Sequence, residues 1–224
     1  MDSFQFAAKR FKLQRVNLIK FVHSKLPTAE IRQYTDPSVQ ILCQKCFSED
    51  DTFLHHLRCP ARSKWRDSFL VALNRFCSET PTDPNLKTCL VQSFISWFDG
   101  SLIDPLEYDP PFRTLIRHQS KIGWYSMLRG FTSCMWTQIQ QEYLYSNDLI
   151  TKTQTGTNWT TKLICLFWTH ALRLWQEYSD DLAGPAQVNH VQRQKATLIA
   201  KIRQYHLRRS ELLPADRRWL MSDP

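Results

Sequence analysis

Three cysteines and two adjacent histidines lie within a stretch of 17 residues near position 50. The first two cysteines are spaced Cys43-x2-Cys46, which suits a tight turn that directs two thiolates at one ion. Eight residues later come His55 and then Cys59, four positions apart and so on one face of a helix. His56, three positions before Cys59, is the alternative histidine, and we favour His55. This set of soft and borderline ligands is typical of zinc.

A site of this composition holds the chain together and does not catalyse a reaction. Four protein ligands fill the tetrahedral positions of zinc, so none is left for the water or substrate that zinc catalysis needs. The sequence therefore predicts a structural Zn²⁺ bound by Cys43, Cys46, His55 and Cys59. The acidic run SEDD, residues 48–51, lies between the two ligand pairs and would repel a phosphate backbone at that edge.

Two other groups of acidic residues resemble catalytic motifs. Residues 178–181 spell YSDD, as in reverse transcriptases, but they end a tryptophan-rich helix and no strand flanks them. Four acids near position 100 could serve a divalent-metal endonuclease, although no Asp/Glu-x-Lys follows them: Asp99, Asp104, Glu107 and Asp109. The chain also contains no glycine-rich phosphate-binding loop and no recognisable nucleophile motif. The sequence therefore predicts no small-molecule substrate. We therefore predict no enzyme activity, with an endonuclease fragment as an alternative.

The elements around the cysteines are predicted to be helical. Only 5 of 224 residues are glycine, too few for the tight turns of an all-β protein. Apolar residues recur at helical spacing in an N-terminal helix before residue 25 and over residues 61–77, 84–98, 113–145 and 159–181. Residues 188–209 are predicted to form a basic helix. The predicted fold is mainly α, a helical body with an inserted small zinc knuckle. Its segments are 1–40 (basic helix and connector), 41–60 (knuckle), 61–98 (two helices), 99–112 (proline-rich linker) and 113–224 (long helices and basic tail).

The charge of the chain favours a polyanionic partner. The net charge is +8 and the isoelectric point is about 9.2, which favours nucleic acid, either DNA or RNA. Basic residues at both ends are the predicted phosphate contacts: Lys9, Arg10, Lys12, Arg15, Arg203, Arg208 and Arg209.

The sequence predicts an intracellular protein, nuclear or cytoplasmic, with no membrane contact. The N-terminus has no apolar run of signal-peptide length. The most apolar window, LICLFWTHALRLW, is 13 residues long and too short to span a bilayer. Seven cysteines without a secretion signal argue for reduced thiols, which favours metal binding over disulfides.

A series of short motifs resembles one protein family over nearly the whole chain. The series begins with KLPT (25–28), the knuckle ending HLRCP, Trp65, PTDPNL (81–86) and SWF (96–98). It continues with IGWYSMLRG (122–130), Trp136, WTTKLI (159–164), Trp168 and Trp175. Together they resemble the region downstream of the reverse transcriptase and ribonuclease H domains in non-LTR-type retroelement polyproteins of microbial eukaryotes.

The resemblance implies a retroelement-derived, nucleic-acid-associated segment without an assigned catalytic role. The family carries an Arg-Asn pair and a His-Gly after the last tryptophan. Here the matching stretch WQEYSDDLAG keeps Trp175 and Gly184 but lacks the Arg, Asn and His, so any function of those residues is in doubt. The predicted function is a zinc-stabilised, non-enzymatic nucleic-acid-associated module. The alternative is a scaffold whose tryptophan-rich helices dock on a reverse transcriptase or other polymerase partner.

Overall fold

The protein is mainly α-helical, as the sequence predicts. The computed structural model describes the backbone of residues 15–207 and the side chains of residues 15–182 and of Ile199. Its helices are α1 (Arg15–Val22), α2 (Ala29–Gln33), α3 (Phe53–Arg58), α4 (Ser63–Glu79), α5 (Pro84–Phe98), α6 (Phe112–Ile122), α7 (Trp124–Leu128), α8 (Cys134–Ser146) and α9 (Gly156–Leu207). Pro60–Arg62 and Pro105–Glu107 form 3₁₀ turns. Within the described range, strand-like pairing is limited to one isolated bridge.

Helices α4 and α5 agree with the predicted ranges and form the centre of the core. Pro84 stands in the first turn of α5, where a missing N–H costs nothing, and the Asp83 carboxylate caps that turn by accepting from two backbone amides. Phe69 of α4 meets Phe94 of α5 edge to face, with ring centroids 5.2 Å apart. Phe167 of α9 packs on Phe94 at 5.4 Å. Large rings at helical spacing thus account for the packing of these helices.

The single helix predicted over residues 113–145 is wrong, because this segment contains three shorter helices. Gly123 has a φ of +95° between α6 and α7, and Gly130 has a φ of +100° between α7 and α8. Only glycine adopts such angles without strain, so both positions end a helix. The apolar stripe read from the sequence is instead the inner surface of separate helices.

Two buried glutamines fix the segments between these helices. Gln119 Oε1 accepts from the Ser133 amide at 2.9 Å and from the Trp136 indole N–H at 3.1 Å. Its Nε2 donates to the Gly123 and Phe131 carbonyls at 3.3 and 3.4 Å. Gln140 of α8 likewise bonds the backbone of residues 81 and 83. Each amide satisfies backbone groups that lie outside helical bonding.

The last described helix is longer than the sequence predicts. We expected AGPAQ, residues 183–187, to end one helix and a second to cover residues 188–209, but α9 continues from Gly156 to Leu207. An interior proline removes one backbone hydrogen bond, and the adjacent Gly184 is also a poor helix former, so local preference does not account for this continuation. The chain divides into two compact units between Trp175 and Gln176. The predicted linker 99–112 therefore lies inside the first unit.

Transmembrane helices are not found in the part of the chain that the structure describes, because none of its helices is both long and apolar enough to cross a membrane.

Candidate metal centre

A short hairpin-like loop positions the first two cysteines. The Cys43 amide donates to the Glu49 carbonyl at 2.9 Å, and the Asp51 amide donates to the Ile41 carbonyl, which pairs the two sides of the loop. The Phe47 amide returns to the Cys43 carbonyl at 2.9 Å and closes the turn around Cys46. The turn requires a left-handed residue, and Phe47 takes that conformation with a φ of +57°. Both thiols are thereby held on one side of the loop.

The short helix α3 positions the other two candidate ligands. The Thr52 hydroxyl caps α3 by accepting from the His55 amide at 2.9 Å. His55 lies in the helix, and Cys59 follows directly after its last residue. Pro60 then opens a 3₁₀ turn that leads into α4. The separation of one helical turn, predicted from the sequence, thus points His55 and Cys59 in the same direction.

The four side chains converge on one point. The ligand atoms of Cys43, Cys46, His55 and Cys59 all lie within 4.8 Å of one another, and the His55 Nε2 lies 3.2 Å from the Cys46 Sγ. Zinc bound tetrahedrally, with Zn–S of about 2.3 Å and Zn–N of about 2.0 Å, needs ligand atoms roughly 3.5–3.8 Å apart. Three of the four residues are buried, and Cys46 is half-buried. The cluster can therefore bind one metal ion.

Neighbouring acids give the two histidines different roles. The Nδ1 of His55 lies 3.1 Å from a carboxylate oxygen of Glu49, so Nδ1–H donates there and Nε2 is left as the ligand atom. His56 instead pairs through its Nε2 with the buried Asp51. Of the two histidines left open by the spacing, His55 is the one in the cluster.

The thiols of the cluster differ in acidity. Burial raises the pKa of the Cys46 thiol, but hydrogen bonds from the Ser48 side chain and from the backbone at Ser48 and Glu49 outweigh it and bring the pKa down to about 6. For Cys59, burial together with the nearby Cys43 and Cys46 thiols raises the pKa to about 12. Cys59 therefore keeps its proton at neutral pH without a metal, and metal binding must release it.

Contacts with three helices join the knuckle to the helical body. Phe53 of α3 meets Phe21 of α1 edge to face at 5.3 Å. The Arg58 guanidinium lies over the Trp97 ring of α5, 4.5 Å from its centroid. Asp51 accepts from the Ala29 amide at the start of α2 at 3.3 Å. A metal that orders the knuckle would therefore also stabilise its contacts with three helices.

The other predicted site residues are the basic residues near the two ends of the chain. Arg15 is exposed in α1, and the backbone of Arg203 lies in α9. The others lie outside the described residues: Lys9, Arg10, Lys12, Arg208 and Arg209. The sequence did not predict that Glu49 and Asp51 contact the two histidines; we interpreted them only as acids that repel a phosphate backbone. The signal available for Glu49 was a carboxylate six residues before a candidate histidine ligand.

The acids considered for an endonuclease do not form a second metal group. Over residues 15–182, where side chains are described, the Cys43–Cys59 cluster is the one group of such ligands found together. Asp104 instead accepts from the Leu106 amide at 2.8 Å and caps a 3₁₀ turn. Asp104 therefore has a local structural role.

Comparison with known proteins does not assign a family to the chain. No protein-family model, curated protein or solved structure matches it.

Proposed function

We propose that this chain is a retroelement-derived, zinc-stabilised, non-enzymatic module that associates with nucleic acid. The observation that carries the proposal is the convergence of three thiols and one imidazole, with the imidazole oriented by Glu49. Soft thiolates with one imidazole in a tetrahedral set favour zinc over oxygen-seeking cations such as magnesium. Because protein atoms occupy all four positions, the metal would stabilise the knuckle and leave no site for a reacting water.

We expect Glu49→Gln to weaken zinc binding about tenfold. Removing the carboxylate that orients a histidine ligand typically costs 10–100-fold in affinity, and the lower end applies because the Glu49 side chain is 68% exposed. Asp50→Asn is the matched control, since Asp50 is an exposed neighbour with the same charge. Competition with a chromophoric chelator measures both affinities. Equal affinities in the two variants would mean that Glu49 does not orient His55.

The charge of the chain supports the nucleic-acid part of the proposal. The net charge of +8 provides attraction to phosphate. The acidic run in the knuckle opposes this attraction at its own edge, where Glu49 and Asp50 are exposed, whereas Asp51 is buried against His56.

We expect binding to a 20-base-pair DNA duplex to weaken about 10³-fold between 50 and 200 mM salt, as for a protein with about six phosphate contacts. Reversing the charges of the predicted contacts should reduce both the affinity and its dependence on salt. The residues to reverse are Lys9, Arg10, Lys12, Arg15, Arg203, Arg208 and Arg209. Fluorescence anisotropy across a salt series measures both quantities. Binding that ignores salt, or that is unchanged after reversal at both ends, would contradict the proposal.

The tryptophans singled out for the alternative scaffold function do not support it, because all three are buried in the described part of the chain. Trp136 and Trp168 are fully buried, and Trp175 is 8% exposed. The Trp136 indole donates to Gln119 within the core. These rings therefore stabilise the helical body and do not form an exposed patch for a polymerase partner.

A further inference from the structure

Helix α6 separates an apolar face from a basic one. Its buried residues are Phe112, Leu115, Ile116 and Gln119. On the opposite side, Arg117 and Lys121 are exposed one turn apart, and the partly buried Arg113 stands one turn before them. Thr114 and His118 are exposed on this same side. The basic face is therefore a continuous stripe of donors along the helix.

The cations of this stripe are not neutralised by the surrounding protein. Helix α6 contains no Asp or Glu, and no ion pair joins Arg117 or Lys121 to any of the residues whose side chains are described. The exposed Arg75 of α4 behaves differently, since its Nε lies 2.6 Å from Glu79. The nearest acids in the sequence, Glu107 and Asp109, precede α6 and limit the stripe at its N-terminal end.

The stripe has the dimensions and rigidity of a backbone-binding surface. A rise of 1.5 Å per residue places Arg117 and Lys121 about 6 Å apart along the axis and makes the stripe from Arg113 about 12 Å long. Such a length runs past several phosphates of one strand. Hydroxyl and imidazole donors beside the cations are also groups that contact phosphate oxygens. Gln119, bonded on the inner face, holds the helix in place.

Hydrogen bonds connect the region after α6 to the basic end of α1. Arg129, which follows α7, donates to the Val22 carbonyl at 3.1 Å and to the Ser24 hydroxyl at 2.8 Å. The exposed lysines at this end of α1 are Lys20 and Lys25. The short helix α7 thus joins the C-terminal end of α6 to a second group of cations.

We infer that the exposed face of α6, with Arg117 and Lys121 at its centre, is a binding surface for the phosphate backbone of nucleic acid. This inference rests on the proposed function and adds to it a surface in the folded body, apart from the basic ends. Long, flexible cationic side chains respond to the charge and spacing of phosphate groups. The surface therefore contributes affinity without base specificity.

The test compares two double variants of the whole chain that carry the same net charge. Arg117→Glu/Lys121→Glu reverses the α6 face, and Lys64→Glu/Lys162→Glu reverses two exposed lysines on α4 and α9. Each lowers the net charge from +8 to +4. Anisotropy with a 20-base-pair DNA duplex and a 20-nucleotide single-stranded RNA is measured across a salt series. Circular dichroism melts check that both variants fold like the wild type.

We expect the α6 variant to lose at least tenfold in affinity at 50 mM salt, while the control changes less than threefold. The slope of log affinity against log salt should fall by about 2 on duplex DNA for two lost contacts. Equal losses in the two variants, or no loss in either, would overturn the inference while leaving the proposed function standing. A wild-type chain that binds neither nucleic acid would overturn both. Displacement of DNA by polyglutamate at equal charge concentration would assign the face to an acidic protein and overturn the inference.

Discussion

We expect the purified protein to contain one zinc ion per chain and the Cys43→Ser variant to contain less than 0.1. A serine hydroxyl is a poor ligand for zinc beside two thiolates, so the remaining three side chains no longer form a closed site. At a zinc concentration 1,000 times the dissociation constant, loss of binding removes about 4 kcal/mol of stabilisation. For a chain of this size that corresponds to a fall in Tm of roughly 10 °C. Elemental analysis and a thermal melt measure the two effects.

Two controls separate metal loss from general damage. Cys134→Ser makes the same substitution at an exposed cysteine outside the cluster, and it should change neither zinc content nor Tm. His56→Ala removes one partner of the buried Asp51, so it should lower the Tm but retain the zinc, whereas His55→Ala should lose the zinc. A Cys43→Ser chain that still holds one zinc, or a His56→Ala chain that alone loses it, would contradict the ligand set.

The features that the sequence predicts well depend on residues close together in the chain. The two ligand pairs are each separated by less than five positions, so the turn and the helical geometry between them fix their directions. Helices α4 and α5 follow from large apolar residues at regular spacing and from Pro84 in the first turn. In these cases, local preference and tertiary packing favour the same structure.

The features that the sequence does not predict depend on contacts between distant segments. The spacing allowed either histidine, and Asp51 decides between them because it pairs with His56 and also accepts from Ala29, 22 positions earlier. The break at Gly123 was hidden because the flanking apolar residues keep a nearly helical spacing across it. An isolated glycine in such a pattern does not reveal whether the chain turns there.

The Gln119→Leu substitution should cost about 3 kcal/mol of stability and lower the Tm by roughly 6–12 °C. Leucine nearly conserves the volume, so no large cavity forms. The Ser133 amide and the Trp136 indole N–H, however, would lose their acceptor inside the core. Each buried donor left without a partner costs about 1–3 kcal/mol, which exceeds the gain from a more apolar side chain. Chemical denaturation with a constant m-value measures the difference in the free energy of unfolding.

The matched control for Gln119→Leu is Gln138→Leu, which makes the same change at an exposed position of α8. It should alter stability by less than about 0.5 kcal/mol, as surface substitutions usually do. Trp136→Phe adds a second comparison, because it removes the indole donor together with part of the ring volume and leaves the Ser133 bond to Gln119 intact. Both single variants remove the hydrogen bond between Gln119 and Trp136. We therefore expect the double variant to lose less stability than the sum of the losses in the two single variants. Additive losses in the double variant, or a Gln119→Leu chain as stable as Gln138→Leu, would show that Gln119 does not couple α6 to α8.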